Sequence, residues 1–136
     1  MELTPYLFFN GNCAEAFRFY EQTLGGKIEA LMKASDAPPS GGAGPQMAGD
    51  SVMHACLTVG KAVLMGSDDP TSYSKPQGNW VSVSVESADE ARRIFDIFAE
   101  GGKVNVPFEP TFWSPGFAMV IDRFGTPWMI NTKPAE

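Results

Sequence analysis

His54 is the one histidine of the 136-residue chain. An imidazole changes charge close to neutral pH, so it is the side chain best suited to moving a proton under physiological conditions. Cys56 and Thr58 follow at alternate positions and share a strand face with it. Ser67 and Asp68 end the strand expected to pair with that one, which brings a carboxylate near enough to orient the ring. His54 and Asp68 are therefore the candidate catalytic pair. The plainer reading of the same residues is a half-buried histidine bonded to backbone. A metal held by His54, Asp68 and water is disfavoured, because so few ligands without preorganisation bind weakly.

Cys56 lies two residues from His54, but side chains at that spacing stand about 7 Å apart, too far for direct activation of a thiol. A packed, inert Cys56 is the better reading, and Cys13 falls on the apolar face of a predicted helix.

A second group of residues suits binding. Trp80, Phe112, Trp113, Phe117 and Trp128 cluster around the C-terminal part of the chain, where aromatic side chains most often form core. Phe117 and Trp128 fit that role. Phe112-Trp113 sits in a turn-rich stretch between Pro110 and Pro115, and an aromatic pair on a stiff loop is better explained as a pocket wall or dimer contact. Asn131 stands close by in sequence and can hydrogen-bond a ligand oxygen. The candidate ligand-binding set is His54, Cys56, Ser67, Phe112, Trp113, Phe117 and Asn131. The Gly41-Gly42-Ala43-Gly44-Pro45 run is no phosphate loop, since it lacks the Gly-Lys-Ser/Thr ending and no helical pattern follows.

Two hairpins must carry these residues. Apolar runs at 117–121 and 128–130 flank Asp122-Arg123-Phe124-Gly125-Thr126-Pro127, whose glycine and proline suit a tight reversal. The stretch 52–67 has the same form about Gly60-Lys61. Ahead of the first hairpin, 3–9 reads as a strand, a helix follows from an Asn12 cap with Glu15 three residues on, and 27–34 is again extended. Cys13, Phe17, Tyr20 and Leu24 form the apolar stripe of that helix. Ahead of the second hairpin, 79–86 alternates Trp80, Ser82 and Ser84 with Val81, Val83 and Val85, the period of a half-buried strand. Ser87-Ala88-Asp89-Glu90 then opens a second helix with stripe Ala91, Ile94, Phe95 and Phe98, and 103–107 begins a further strand. The stretch 35–50, rich in glycine and proline, is expected to be a lid or a disordered loop.

Asn12-x-x-Glu15-Ala16 matches Ser87-x-x-Glu90-Ala91, and Gly25-Gly26-Lys27-Ile28 is echoed by Gly101-Gly102-Lys103-Val104. The order βαβββ thus occurs twice, in modules of about 1–67 and 79–136 within a single α+β domain. One helix and four strands cannot close their own apolar face, so two cupped mixed sheets around a shared cleft are expected.

With a net charge of −6 and only one basic pair, Arg92-Arg93, the chain has no stripe for a phosphate backbone, which excludes nucleic acid as the expected partner. No apolar run reaches the length of a membrane span, and no basic, then apolar, leader opens the sequence. Two cysteines without C-x-x-C spacing favour a reduced compartment, and the cytoplasm is the expected location.

The repeat resembles the vicinal oxygen chelate superfamily of glyoxalase I, bleomycin-resistance proteins and extradiol dioxygenases. Within it the chain looks most like the PhnB-like group, through Pro5-Tyr6-Leu7, Gly11-Asn12-Cys13-Ala14-Glu15-Ala16, Phe19-Tyr20, Met65-Gly66-Ser67-Asp68, Thr111-Phe112-Trp113 and the run Phe124-Gly125-Thr126-Pro127-Trp128-Met129-Ile130-Asn131. The resemblance implies a cup-shaped sheet from each half, a small-molecule pocket and a homodimer. Relatives of this group sometimes carry a ubiquinone methyltransferase label, but the chain shows no glycine-rich strand-to-helix turn for a nucleotide-like cofactor. Metal-dependent relatives take ligands from the first and last strands of each half. Those positions fall here near Pro5, Leu64 or Met65, Trp80 and Met129, none of them a ligand for a hard or borderline divalent ion. The expectation is a cofactor-free, metal-free cup that binds a small, partly apolar molecule between the repeats. The alternative is a lyase, isomerase or oxygenase that uses His54 and Asp68 for acid–base chemistry or for a non-standard divalent metal.

Overall fold

A computed structural model describes residues 1–36 and 49–134 of the chain, so most of the stretch expected to be a lid or disordered lies outside the described residues. The chain divides into two compact units, Met1–Ser74 and Lys75–Glu136. Each is a βαβββ module with its own four-stranded sheet.

The first unit runs β1 (Tyr6–Phe9), α1 (Cys13–Leu24), β2 (Lys27–Lys33), a short 3-10 turn, β3 (Val52–Val59) and β4 (Ala62–Asp68). Its sheet order is β1-β4-β3-β2, with β1 parallel to β4 and the remaining pairs antiparallel. Strand alternation puts Phe9, Ala55, Leu57 and Leu64 in the core. Helix α1 buries Cys13, Ala16, Phe17, Tyr20 and Thr23. Phe9, Phe17 and Tyr20 meet ring to ring at centroid distances of 5.9 to 6.5 Å. Gly66 is required on β4, because a Cβ there would stand 2.7 Å from the Leu7 carbonyl oxygen and 2.8 Å from the Phe17 ring. The helix ends at Gly25, whose φ of 74° is left-handed and costs glycine little.

The start of α1 departs from the sequence expectation. Asn12 makes no side-chain capping bond. The carboxylate of Asp68, arriving at the end of β4, instead accepts from the Gly11 and Cys13 amides, each at 3.0 Å. It places a negative group at the positive end of the helix dipole.

The second unit runs β5 (Val81–Val85), α2 (Ala88–Ala99), β6 (Lys103–Glu109), β7 (Phe117–Ile121) and β8 (Pro127–Thr132), with sheet order β5-β8-β7-β6. Here the predicted cap forms, and Ser87 Oγ accepts from the Glu90 amide at 3.2 Å. Ala91, Ile94 and Phe98 of α2 are buried with Ala118, Val120, Trp128 and Ile130 of the sheet, and the rings of Phe98 and Trp128 lie 4.8 Å apart. The valines of β5 are half-buried while Ser82 and Ser84 are exposed, as the alternation predicts. β6 continues past Pro107 to Glu109, because a sheet edge tolerates a residue with no amide to donate.

Candidate functional site

In each unit the helix covers one face of its sheet, and the residues of interest lie on the other. In the first unit Cys56 pairs with Met65 and with Ala30, Met32 pairs with His54, and Tyr6 pairs with Met65. Paired residues point to the same side of a sheet, and alternation keeps Ala55 and Leu57 on the helix side. The open face therefore presents Tyr6, Phe8, Met32, His54, Cys56 and Met65. Phe8 is 52% exposed and Met32 48%, well beyond what a core position allows. The Tyr6 hydroxyl reaches across β4 to within 3.4 Å of His54 Nδ1, and their rings are 6.0 Å apart. The Tyr6 and Phe8 rings follow one another along β1 at 5.3 Å.

The partner this geometry gives His54 is thus Tyr6. Asp68, chosen from the sequence to orient it, is buried, and its oxygens are engaged elsewhere: Oδ1 by Gly11 and Cys13, and Oδ2 by the Val52 amide at 2.8 Å. That carboxylate ties the loop before α1 and the start of β3 to the end of β4. It is a structural clamp. Ser67 sits beside it, buried. Burial, with the charge of Asp68 adding to it, pushes the Cys13 thiol far above its ordinary value, so Cys13 is inert core. Cys56 is a free thiol and half-buried on the open face, not in the core.

In the second unit Asn131 on β8 pairs with Ser84 on β5 and Phe117 on β7, and Met129 pairs with Ser82 and Met119. All six point away from α2. Trp113 lies edge-on to Phe117 at 5.3 Å, and Phe112 edge-on to Trp113 at 4.9 Å. Phe117 and Trp128 are buried, as expected, whereas Phe112 is 97% exposed. The Oδ1 atom of Asn131 is buried and has no hydrogen-bond partner among the described residues. The structure therefore assembles the predicted ligand-binding residues into two groups, His54 with Cys56 in one unit and Asn131 with Phe117, Trp113 and Phe112 in the other.

Tyr6, Phe8, Met32 and Met65 were missing from the sequence-derived set. The signal for Tyr6 and Phe8 was present in the alternation of Tyr6-Leu7-Phe8-Phe9, where Phe9 is buried and Tyr6 and Phe8 are exposed. Their closeness to His54 depends on the parallel register of β1 with β4, which no local pattern encodes.

The positions that the resemblance assigns to a metal can now be placed. The open face of the first sheet offers Tyr6 and Phe8 on β1 with Met65 and Ser67 on β4, and that of the second offers Ser82 and Ser84 on β5 with Met129 and Asn131 on β8. Pro5 and Trp80, assigned to these places from the sequence, precede their strands, and Leu64 is buried on the helix side. Without imidazole or carboxylate among them, these side chains do not fit a hard or borderline divalent ion. No three His, Cys, Asp or Glu side chains come together among the described residues.

Two βαβββ modules in tandem, each with its helix on one face of a four-stranded sheet, define the class of fold. The chain belongs to the Glyoxalase/Bleomycin resistance protein/Dioxygenase superfamily, whose model matches residues 3–130. It is 33% identical to Protein YjdN of Escherichia coli K12 over 139 residues, covering 96% of this chain and 95% of that protein. Among solved structures it is similar to protein PA1353 from Pseudomonas aeruginosa, with 44% identity, a TM-score of 0.89 and 98% of both chains covered. It also shares its fold with a PhnB protein from Bacillus cereus described as a putative 3-demethylubiquinone-9 3-methyltransferase, at 21% identity and a TM-score of 0.78, with 97% of this chain and 99% of that one covered. Among the described residues no helix is long and apolar enough to cross a membrane.

Proposed function

We propose that the protein binds a small, partly apolar molecule on the open sheet faces and uses no divalent metal of the superfamily type. The observation that carries this reading is Asn131 Oδ1, a buried acceptor with no donor among the described residues, flanked by Phe117 and, through it, by Trp113. Leaving such an acceptor unpaired costs about 1 to 3 kcal/mol, a cost that a ligand N–H or O–H removes. Aromatic and thioether side chains around one or two polar groups are the usual lining of a small-molecule site. The ligand expected here is a compact molecule with an apolar body and one hydrogen-bond donor. Its binding is testable with a panel of small amines, alcohols and amides, read by thermal shift and by quenching of tryptophan fluorescence that is lost in Trp113→Phe. Compounds that raise the melting temperature of the parent chain are expected to lose that effect in Asn131→Leu. Equal binding by Asn131→Leu overturns the assignment.

A second reading, acid–base catalysis, is favoured by the Tyr6–His54 contact, which sets a titratable ring beside a hydroxyl on a half-open surface. In that case His54 transfers the proton and Tyr6 fixes its tautomer. Turnover of any compound found by the binding screen is then expected to fall at least about a hundredfold in His54→Ala, the usual scale of general acid–base assistance.

Homodimer formation and a cytoplasmic location complete the proposal. The first is supported by the fully exposed ring of Phe112, and the second by two free cysteines. Light scattering on the purified chain tests the dimer, with a monomer mass overturning it.

A further inference from the structure

The open face of the first sheet carries a donor set that the superfamily's metal chemistry does not use. Cys56 and Met65 are directly opposite on β3 and β4, and His54 and Met32 directly opposite on β3 and β2. Opposite residues on one face hold their Cβ atoms about 5 Å apart, and alternate residues on one strand about 7 Å apart. The Cys56 thiol, the Met65 thioether and the His54 imidazole thus occupy a patch small enough for their donor atoms to reach a common point, with Met65 the flexible member. Met32 lies two strands and two residues from Met65, about 12 Å away, too far to share an ion with it. Ala30, paired with Cys56 on its other side, places only a methyl group beside the thiol.

These are soft or borderline donors, and no carboxylate belongs to the patch. Hard cations and tetrahedral zinc are poorly served by it, whereas thiolate and thioether sulfur select d10 monovalent ions. A partner that orients the imidazole is also in place. If His54 Nδ1 carries the proton and donates to the Tyr6 oxygen 3.4 Å away, the lone pair of Nε2 is left free to coordinate. We infer that His54, Cys56 and Met65 form a binding site for one soft monovalent metal ion of the Cu(I) class. Cys13 takes no part, being fully buried on the opposite side of the sheet under α1. On binding, the Cys56 thiol gives its proton to solvent as the sulfur–metal bond forms, and no electron is transferred.

The test is anaerobic titration of the full chain with Cu(I) against bicinchoninate, a competing chelator. One equivalent per chain is expected to be withdrawn from the chelator, and Cys56→Ser is expected to abolish this. Any accessible thiol binds Cu(I), so the deciding variants keep Cys56: Met65→Leu and His54→Ala should each weaken binding at least about tenfold, given that even outer-shell substitutions cost 10- to 100-fold. Met53→Leu, on β3 but turned by strand alternation to the helix side, should bind as the parent does. All four positions are half-buried or exposed, so circular dichroism should show each variant folded. Parent-like affinity in both Met65→Leu and His54→Ala reduces the site to a lone thiol and overturns the inference. So does failure of the parent chain to compete for the ion.

Discussion

The indole N–H of Trp128 donates to Asp122 Oδ2 at 2.8 Å, and both residues are buried. The other oxygen of Asp122 accepts from the Phe124 amide at 2.8 Å and the Thr126 amide at 3.1 Å, so one carboxylate shapes the β7–β8 turn and anchors the largest core side chain of the second unit. Asp122→Ala removes the acceptor of three buried donors at once and should cost about 3 kcal/mol. Asp122→Asn keeps one acceptor oxygen and should cost about 1 to 2 kcal/mol. Urea denaturation curves measure both, and equal midpoints for parent and Asp122→Ala would remove this carboxylate from the account of the fold.

Asp68 should behave as a structural residue. Asp68→Asn disturbs the bonds to Gly11, Cys13 and Val52 and is expected to lower stability by about 2 kcal/mol. His54→Ala, at a half-exposed position, should change stability by less than about 1 kcal/mol. A stability loss from His54→Ala equal to that from Asp68→Asn would show that the two residues act as one buried unit, against the geometry.

The two helix starts should respond differently to the same kind of substitution. Ser87→Ala removes a formed cap and should cost about 1 kcal/mol. Asn12→Ala removes a side chain that caps nothing and should cost only a few tenths. Thermal melts of the pair distinguish them, and a cost at Asn12 matching that at Ser87 contradicts the Asp68 cap.

Gly66→Ala pushes a methyl group against the Leu7 carbonyl and the Phe17 ring. The carbonyl belongs to a paired strand and cannot retreat, so a loss of about 1 to 3 kcal/mol is expected, read from the denaturation midpoint.

Alkaline pH should unfold the chain partly through Cys13. Its thiol is pushed upward from an ordinary value of 9.0 by burial and then by Asp68. Above that value the unfolded thiol loses its proton while the folded one keeps it, so the unfolded state binds fewer protons and stability falls as pH rises. The contribution is fully present below pH 9 and declines by about 1.4 kcal/mol per pH unit above it. Cys13→Ala, though less stable at neutral pH, should show a flatter decline between pH 9 and 10.5. Parallel curves for the two proteins would refute the assignment.

How much of this was legible in the sequence follows from the range of the interactions involved. The strands Val52–Val59 and Phe117–Ile121, the two helices and the repeated order were readable, because apolar periodicity and turn residues are local signals. The Ser87 cap was readable for the same reason. The similar Asn12 motif misled, because its helix is capped by a carboxylate from a strand far along the chain. Strand ends shifted where register decided them: β1 begins at Tyr6, where pairing with Met65 begins, and β8 extends to Thr132, opposite Val85. Among site residues, Asn131 beside Phe117 could be found from hairpin pairing alone. The Tyr6–His54 contact could not, since it crosses a strand that lies between them only after parallel pairing has formed.

In both sheets the strand made last by the chain is an interior one: β4 lies between β1 and β3, and β8 lies between β5 and β7. As the polypeptide leaves the ribosome, β5 therefore waits through α2, β6 and β7 with no neighbour to hydrogen-bond. Each module can reach its native sheet only by a late insertion, which makes nascent chains that end before residue 127 open-edged species suited to chaperone capture.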